Sequence, residues 1–314
     1  MTAAPLLAPP PDAAPAPLPP PAHRRLLTVA IGVGAVALAV ALIGLVVDPR
    51  SIEGAPAWLK PAKFGVSVLL YLVAIRWMLG VVTDRRRLLA VLATVMLVAL
   101  TAELVAIDVQ VLRGTTSHFN ESTPFDTVVY LGMGGLISTV FVVTAIGAVL
   151  VLRTRGVDRT IAAGMRWGLL VSLAGMAEAV LMTVNSRWHD AGGHTVGGVD
   201  GGPGLPLTGW STLHGDLRIG HFLGLHALQV LPLLAFLLAR LPLPERVRTR
   251  MLAVAGGGYG GLLLLTTWQA LRGQALLSPD ALTLAVAAAL LLAVAAGTAV
   301  VLVSGRHSAA VERL

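Results

Sequence analysis

The chain has 314 residues, of which 56% are apolar and only 12% charged, with a formal charge of +7. A soluble domain carries about 25% charged residues, so the composition excludes an ordinary soluble protein and points to a membrane chain. The absence of cysteine excludes disulfides, thiol catalysis, any Cys-ligated centre and covalent haem attachment, and arginines set between apolar runs, without interleaved aromatics, exclude a nucleic-acid surface.

Residues 1–25 begin with a Pro/Ala-rich stretch that cannot bury a core, which predicts a disordered tail. About 20 apolar residues span a bilayer as a helix. Eight such runs follow, at 26–47, 63–83, 88–112, 126–152, 162–184, 218–239, 249–271 and 281–303. The first is too long for the core of a cleaved signal peptide, so it reads as a retained helix. The expected fold class is therefore all-α, a polytopic membrane helix bundle.

Orientation follows from Lys/Arg asymmetry. Arg24 and Arg25, Arg85 to Arg87, Arg153 to Arg159, Arg240 to Arg250, and Arg306 with Arg313 all fall on one side. The other side is poorer in them. Both termini are expected in the cytoplasm, with loops 48–62, 113–125, 185–217 and 272–280 outside.

The third predicted helix ends in QVLRG and the seventh in QALRG, and each is followed by a proline and an aspartate. KFG (63–65) and RIG (218–220) open the second and sixth, with Trp58 and Trp210 upstream. These matches share one frame, helices one to four on five to eight. They predict a parallel 4+4 repeat, with four-helix units at 26–160 and 161–304 and a short cytoplasmic tail at 305–314.

Charged side chains inside a bilayer cost several kcal/mol and usually face a cavity or bundle interior. The third helix carries Glu103, Asp108 and Gln110 and ends at Arg113. At 100° per residue Glu103, Gln110 and Arg113 form one stripe, and Asp108 points about 140° away from Glu103. Glu103 lies ~15 Å below Arg113, near the midplane, and Glu178 ~13 Å below Arg187. The sixth helix opens DLRIGHFLGLHALQ, placing Arg218, His221, His226 and Gln229 on a membrane segment. His214, Arg218 and His221 share a face if that helix starts early. His221 and His226, five apart, do not, so they cannot grip one metal ion from one face.

The outer loops add His118, Asn120, Glu121, Asp126, His189, Asp190, His194, Asp200 and His214. The expected site is thus polar, rich in His and carboxylate, and reached from outside. Its candidate residues are Glu103, Asp108, Gln110, Arg113, His118, Glu178, His214, Arg218, His221 and His226. The intramembrane acids favour movement of a small solute or ion coupled to protons. A haem- or metal-dependent membrane oxidoreductase or hydrolase is the alternative, with His118, His214, His221 and His226 as candidate ligands. A structural or assembly role is the third. The glycine-rich 194–209 does not join a strand to a helix, so it is no dinucleotide loop.

AWLKPAKF (57–64), QVLRGTTSHFN (110–120) and HGDLRIGHFLGLHALQ (214–229) together resemble a group of bacterial multi-pass membrane proteins to which no activity attaches. The resemblance covers most of the second to sixth helices and implies the inner membrane of a bacterial cell. Haem A synthase is similar in being a doubled four-helix unit, but its ligand histidines occupy both halves. Here the second, fourth, seventh and eighth helices contain none. The progestin-receptor and ceramidase group uses a helical HxxxH that this chain lacks.

Overall fold

The computed structural model describes residues 20–188 and 193–311. The expected tail up to residue 19, His189 with Asp190, and the last three residues lie outside them. Eight helices are found among the described residues: α1 (Ala22–Val47), α2 (Leu59–Leu79), α3 (Arg86–Leu112), α4 (Pro124–Arg153), α5 (Arg159–Trp188), α6 (Arg218–Ala239), α7 (Glu245–Leu271) and α8 (Ala281–Val311). All eight are long and apolar enough to cross a membrane, as a multi-pass integral membrane protein requires.

Helix boundaries follow local chemistry more than hydropathy. α2 starts four residues before its apolar run, because Pro61 is tolerated in a first turn whose N–H groups have no helical partner. α4 opens on Thr123, whose hydroxyl accepts from the Asp126 N–H at 3.2 Å and donates to the Asp126 carboxylate at 2.5 Å, with Pro124 next. The two LRG ends close alike. Gly114 and Gly273 both take φ of 75°, a conformation glycine adopts without strain. Thr115 then donates to the Gln110 carbonyl and Gln274 to that of Gln269, which completes a Schellman cap in each.

α1 packs on α2 and α3, and α3 on α4; α5 packs on α6 and α7, and α7 on α8. The largest core cluster joins α1 to α4 and reaches Met165 and Leu169 of α5 and Leu228 of α6. The α5–α6 seam is built on small residues. Gly175 and Gly224 meet backbone to backbone, and Gly164 and Gly168 lie against Ala235 and the Ala227 carbonyl. Such close approach replaces the hydrophobic drive that helices lack inside lipid. Outward faces carry exposed Val, Leu and Phe, the surface expected against acyl chains.

Two short hairpins lie at the end of the bundle away from the α1 start. β1 (Ser51–Ile52) pairs with β2 (Ala55–Pro56) through Glu53 and Gly54, both at positive φ. β3 (Thr195–Val196) pairs with β4 (Gly215–Asp216), closing the long loop onto α6.

Candidate functional site

The segment 193–217 is held down at many points. Asp200 accepts from the N–H groups of Gly193, His194 and Thr195 and meets the His194 ring at 3.0 Å. Asp216 is fully buried; it accepts from the Ser211 N–H and takes a bidentate grip from Nε and Nη2 of Arg218, and the same Nη2 also donates to the Gly209 carbonyl at 2.6 Å. Burial pushes the Asp216 carboxyl up, but Arg218 and the Ser211 N–H outweigh it and hold it below the usual carboxylate range. Lys63 of α2 donates to the Thr208 carbonyl, Phe119 packs on Gly193, and Gly197 approaches Gly273. The loop is therefore a lid over both halves of the chain.

Glu103 of α3 is 3% exposed. Its Oε1 lies 3.6 Å from His118 Nε2, and the His118 ring rests on Phe64. Ser117 Oγ is 3.0 Å from His118 Nδ1. Burial pushes the His118 imidazole well down, with the Lys60 ammonium and His221 adding to the effect. Burial thus favours the uncharged ring of His118 in its contact with Glu103. Lys60 has no hydrogen bond or ion pair among the described residues, and it lies within electrostatic reach of Glu103.

Glu178, 5% exposed, sits on the other half. Thr267 of α7 donates to its Oε1 at 2.7 Å, and both crowd Gly220 of α6. On the next residue, His221 Nδ1 donates to the Gly175 carbonyl at 2.7 Å, since a carbonyl can only accept. Glu103 Oε2 and Glu178 Oε2 are both buried without a hydrogen-bond partner. An ionised carboxylate in that condition costs several kcal/mol, which a proton or a bound cation relieves.

Glu178 lies opposite the first turn of α6 and, through Thr267, about 6 Å below the end of α7. Glu103 meets the loop that follows its own helix. α3 and α5 run 27 and 30 residues, whereas α2 and α6 run 21 and 22. Both acids therefore lie in the halves of α3 and α5 that approach the hairpin end of the bundle.

The other candidates divide. Gln110 donates to Asp126 at 2.8 Å, and Arg113 pairs with Asp126 at 3.1 Å while lying over Phe125. These two clamp α3 to α4. Arg218 clamps the lid. α6 begins at Arg218, so His214 is a loop residue, packed on Gly198, and does not share a helical face with His221. His226 donates to Gln229 and stands edge-on to Phe222, on a different face of α6. Asp108 is half-buried, with no hydrogen bond or ion pair among the described residues. His118 and His221 are thus brought within electrostatic reach, and His214 and His226 lie elsewhere. No three His, Asp or Glu side chains among the described residues gather at metal-binding distance.

Sequence reasoning passed over Lys60 and Thr267. Pro61 was the usable signal for Lys60, because a proline in a first turn moves the helix start to Leu59 and carries Lys60 inside it. Nothing in the sequence pairs Thr267 with Glu178, 89 residues away. No family model, characterised protein or solved structure matches the chain.

The clamps yield a graded expectation. Asp126 is 2% exposed and Arg113's side chain about a third, whereas the matching Arg272–Asp280 pair is 29% and 41% exposed. Asp126→Ala is expected to cost about 3 kcal/mol, since it strands a buried amide and a half-covered guanidinium. Asp280→Ala should cost under about 1 kcal/mol. Chemical unfolding in detergent reads both, and equal losses would refute the distinction.

The lid should respond to acid. Burial lowers the His194 imidazole, with Arg218 and Lys60 acting the same way and Asp200 and Asp216 opposing. A His lowered in the folded state contributes stability that is present above its unfolded value, about 6.5, and lost as pH falls below it. Amide exchange across 193–217, corrected for intrinsic rates, should therefore rise between pH 7 and 5. His194→Gln should remove part of that rise; protection independent of pH would sink the idea.

Proposed function

We propose that this protein binds a small solute or ion at the outer end of its bundle and moves it across the bacterial inner membrane, coupled to protons on Glu103 and Glu178. One observation carries the reading. Two nearly fully buried carboxyls, on helices from different halves of the chain, each leave one oxygen unpartnered. Partnered acids such as Asp126 and Asp216 hold the architecture, and these two keep a lone pair for a ligand or a proton. Lys60, His118 and His221 supply the polar surroundings. The lid over 193–217 controls entry, and its opening exposes the site to the outside.

A parallel 4+4 repeat belongs to this reading. Its support is the recurring order of helix contacts and the two Gln–Arg–Gly ends. The unlike residues, Glu103 with His118 in one half and Glu178 with His221 in the other, then make one asymmetric site on a doubled scaffold. Both termini lie in the cytoplasm, following the arginines.

The test is solute-driven proton movement in proteoliposomes with a trapped pH dye, challenged with sodium, potassium, small amines and small carboxylic acids. Glu103→Gln and Glu178→Gln should each abolish the response that the native protein gives. A response intact in both variants overturns the proposal. One observation favours a membrane hydrolase instead, the row Ser117–His118–Glu103. That reading requires Ser117→Ala to lose labelling by a serine-reactive phosphonate.

A further inference from the structure

The opposite end of the bundle holds a feature that the outer site does not use. A shallow cavity of about 240 Å³, open to the surface, lies between the start of α1 and the end of α2, lined by Pro20, Arg24, Arg25, Thr28 and Arg76. Arg24 reaches the Gly80 carbonyl at 3.0 Å, and Arg76 Nε donates to Thr28 Oγ1 at 2.9 Å. These bonds anchor the two side chains beside the cavity and leave most of their donors without a partner among the described residues, since each guanidinium carries five N–H groups. Arg25 has no hydrogen bond among the described residues. Arg24, Arg25 and Arg76 form no ion pair with any acidic side chain among them. α1 also starts without a side-chain cap and without an acid in its first turn.

Three like charges around one cavity repel unless an anion joins them, and a guanidinium fork matches the oxygens of a phosphate. We propose that this cavity binds the phosphate of an anionic phospholipid. Its place favours a lipid. Val29 of α1 and Val73 and Trp77 of α2 are exposed close by in sequence, giving acyl chains an apolar surface and the headgroup level an interfacial tryptophan. Arginine pockets between helices are suited to acidic headgroups.

The full-length protein in neutral detergent is titrated with phosphatidylglycerol, phosphatidylcholine or inorganic phosphate at constant ionic strength. Thermal unfolding and native mass spectrometry are the readouts. Phosphatidylglycerol should raise the unfolding midpoint and stay bound, whereas phosphatidylcholine and inorganic phosphate should do neither. Arg25→Gln should weaken lipid binding roughly fivefold, and adding Arg76→Gln about fivefold again; Arg155→Gln should leave it unchanged. Arg25 bonds nothing within the described chain, so its single variant keeps the test valid if the double variant does not fold. Equal binding of phosphatidylcholine, retention of binding in Arg25→Gln, or an equal loss in Arg155→Gln would overturn the site. An equal shift with inorganic phosphate would overturn the lipid assignment and make the ligand free phosphate.

Discussion

Gly175→Leu is expected to destabilise the bundle by about 3 kcal/mol or more. A Cβ at Gly175 would meet the backbone of Gly224 and the Leu225 nitrogen, and neither can turn aside as a side-chain tip can. α5 and α6 would have to separate along the whole seam, where Gly164 and Gly168 also lie against α6 backbone. The Gly175 carbonyl would then leave His221, and its bond at 2.7 Å would be lost. Gly134→Leu on α4 is the matched control, because nothing lies within 4 Å of its Cβ position and its face is exposed. That change should stay within about 0.5 kcal/mol. Thermal unfolding and size-exclusion profiles in detergent separate the two. If Gly175→Leu unfolds like the native protein, the close α5–α6 packing is wrong.

The second large effect is functional. Glu178→Gln keeps an oxygen to accept from Thr267, which also shares its hydroxyl with the Leu263 carbonyl. Folding should survive, and the ability to hold a proton or a cation is removed. Glu103→Gln likewise preserves shape beside His118. A charge-assisted hydrogen bond contributes about 1.5–3 kcal/mol, so each variant should bind its solute at least ~tenfold more weakly. Proton coupling should vanish. Infrared difference spectra across a pH titration should lose one carboxyl band in each variant. A drop in stability with undiminished proton movement would instead make the two acids structural. The His118→Gln variant separates the halves of the site further, since it touches Glu103 and leaves Glu178 with Thr267.

Much of the fold was legible from the chain. In a bilayer every backbone N–H and C=O must be satisfied within its own segment, so long apolar runs can only be helices. Hydropathy therefore located all eight. The LRG ends were legible too, because a left-handed residue that closes a helix is a local demand met by glycine. The 100° period separated His221 from His226 before any coordinates did, and the two lie on different faces of α6.

The site itself was legible only as a list. Helical rise predicted the depth of Glu103 and Glu178 along their own helices, but functional depth depends on where the neighbouring helices start. Helix length and tilt are settled by packing between elements far apart in sequence. Hydropathy leaves Lys60 in the loop 48–62, yet one turn of helix around Pro61 places it in α2, within electrostatic reach of Glu103 and Arg218. Thr267 met Glu178, and Phe119 met Gly193, through contacts that no local pattern encodes. The sequence by itself determined the membrane class, the helices and the residue types too costly to be incidental, because these follow from transfer free energy and local backbone chemistry. Tertiary structure alone decided which acids keep an unpartnered oxygen, since that depends on which side chains other helices bring within three ångströms.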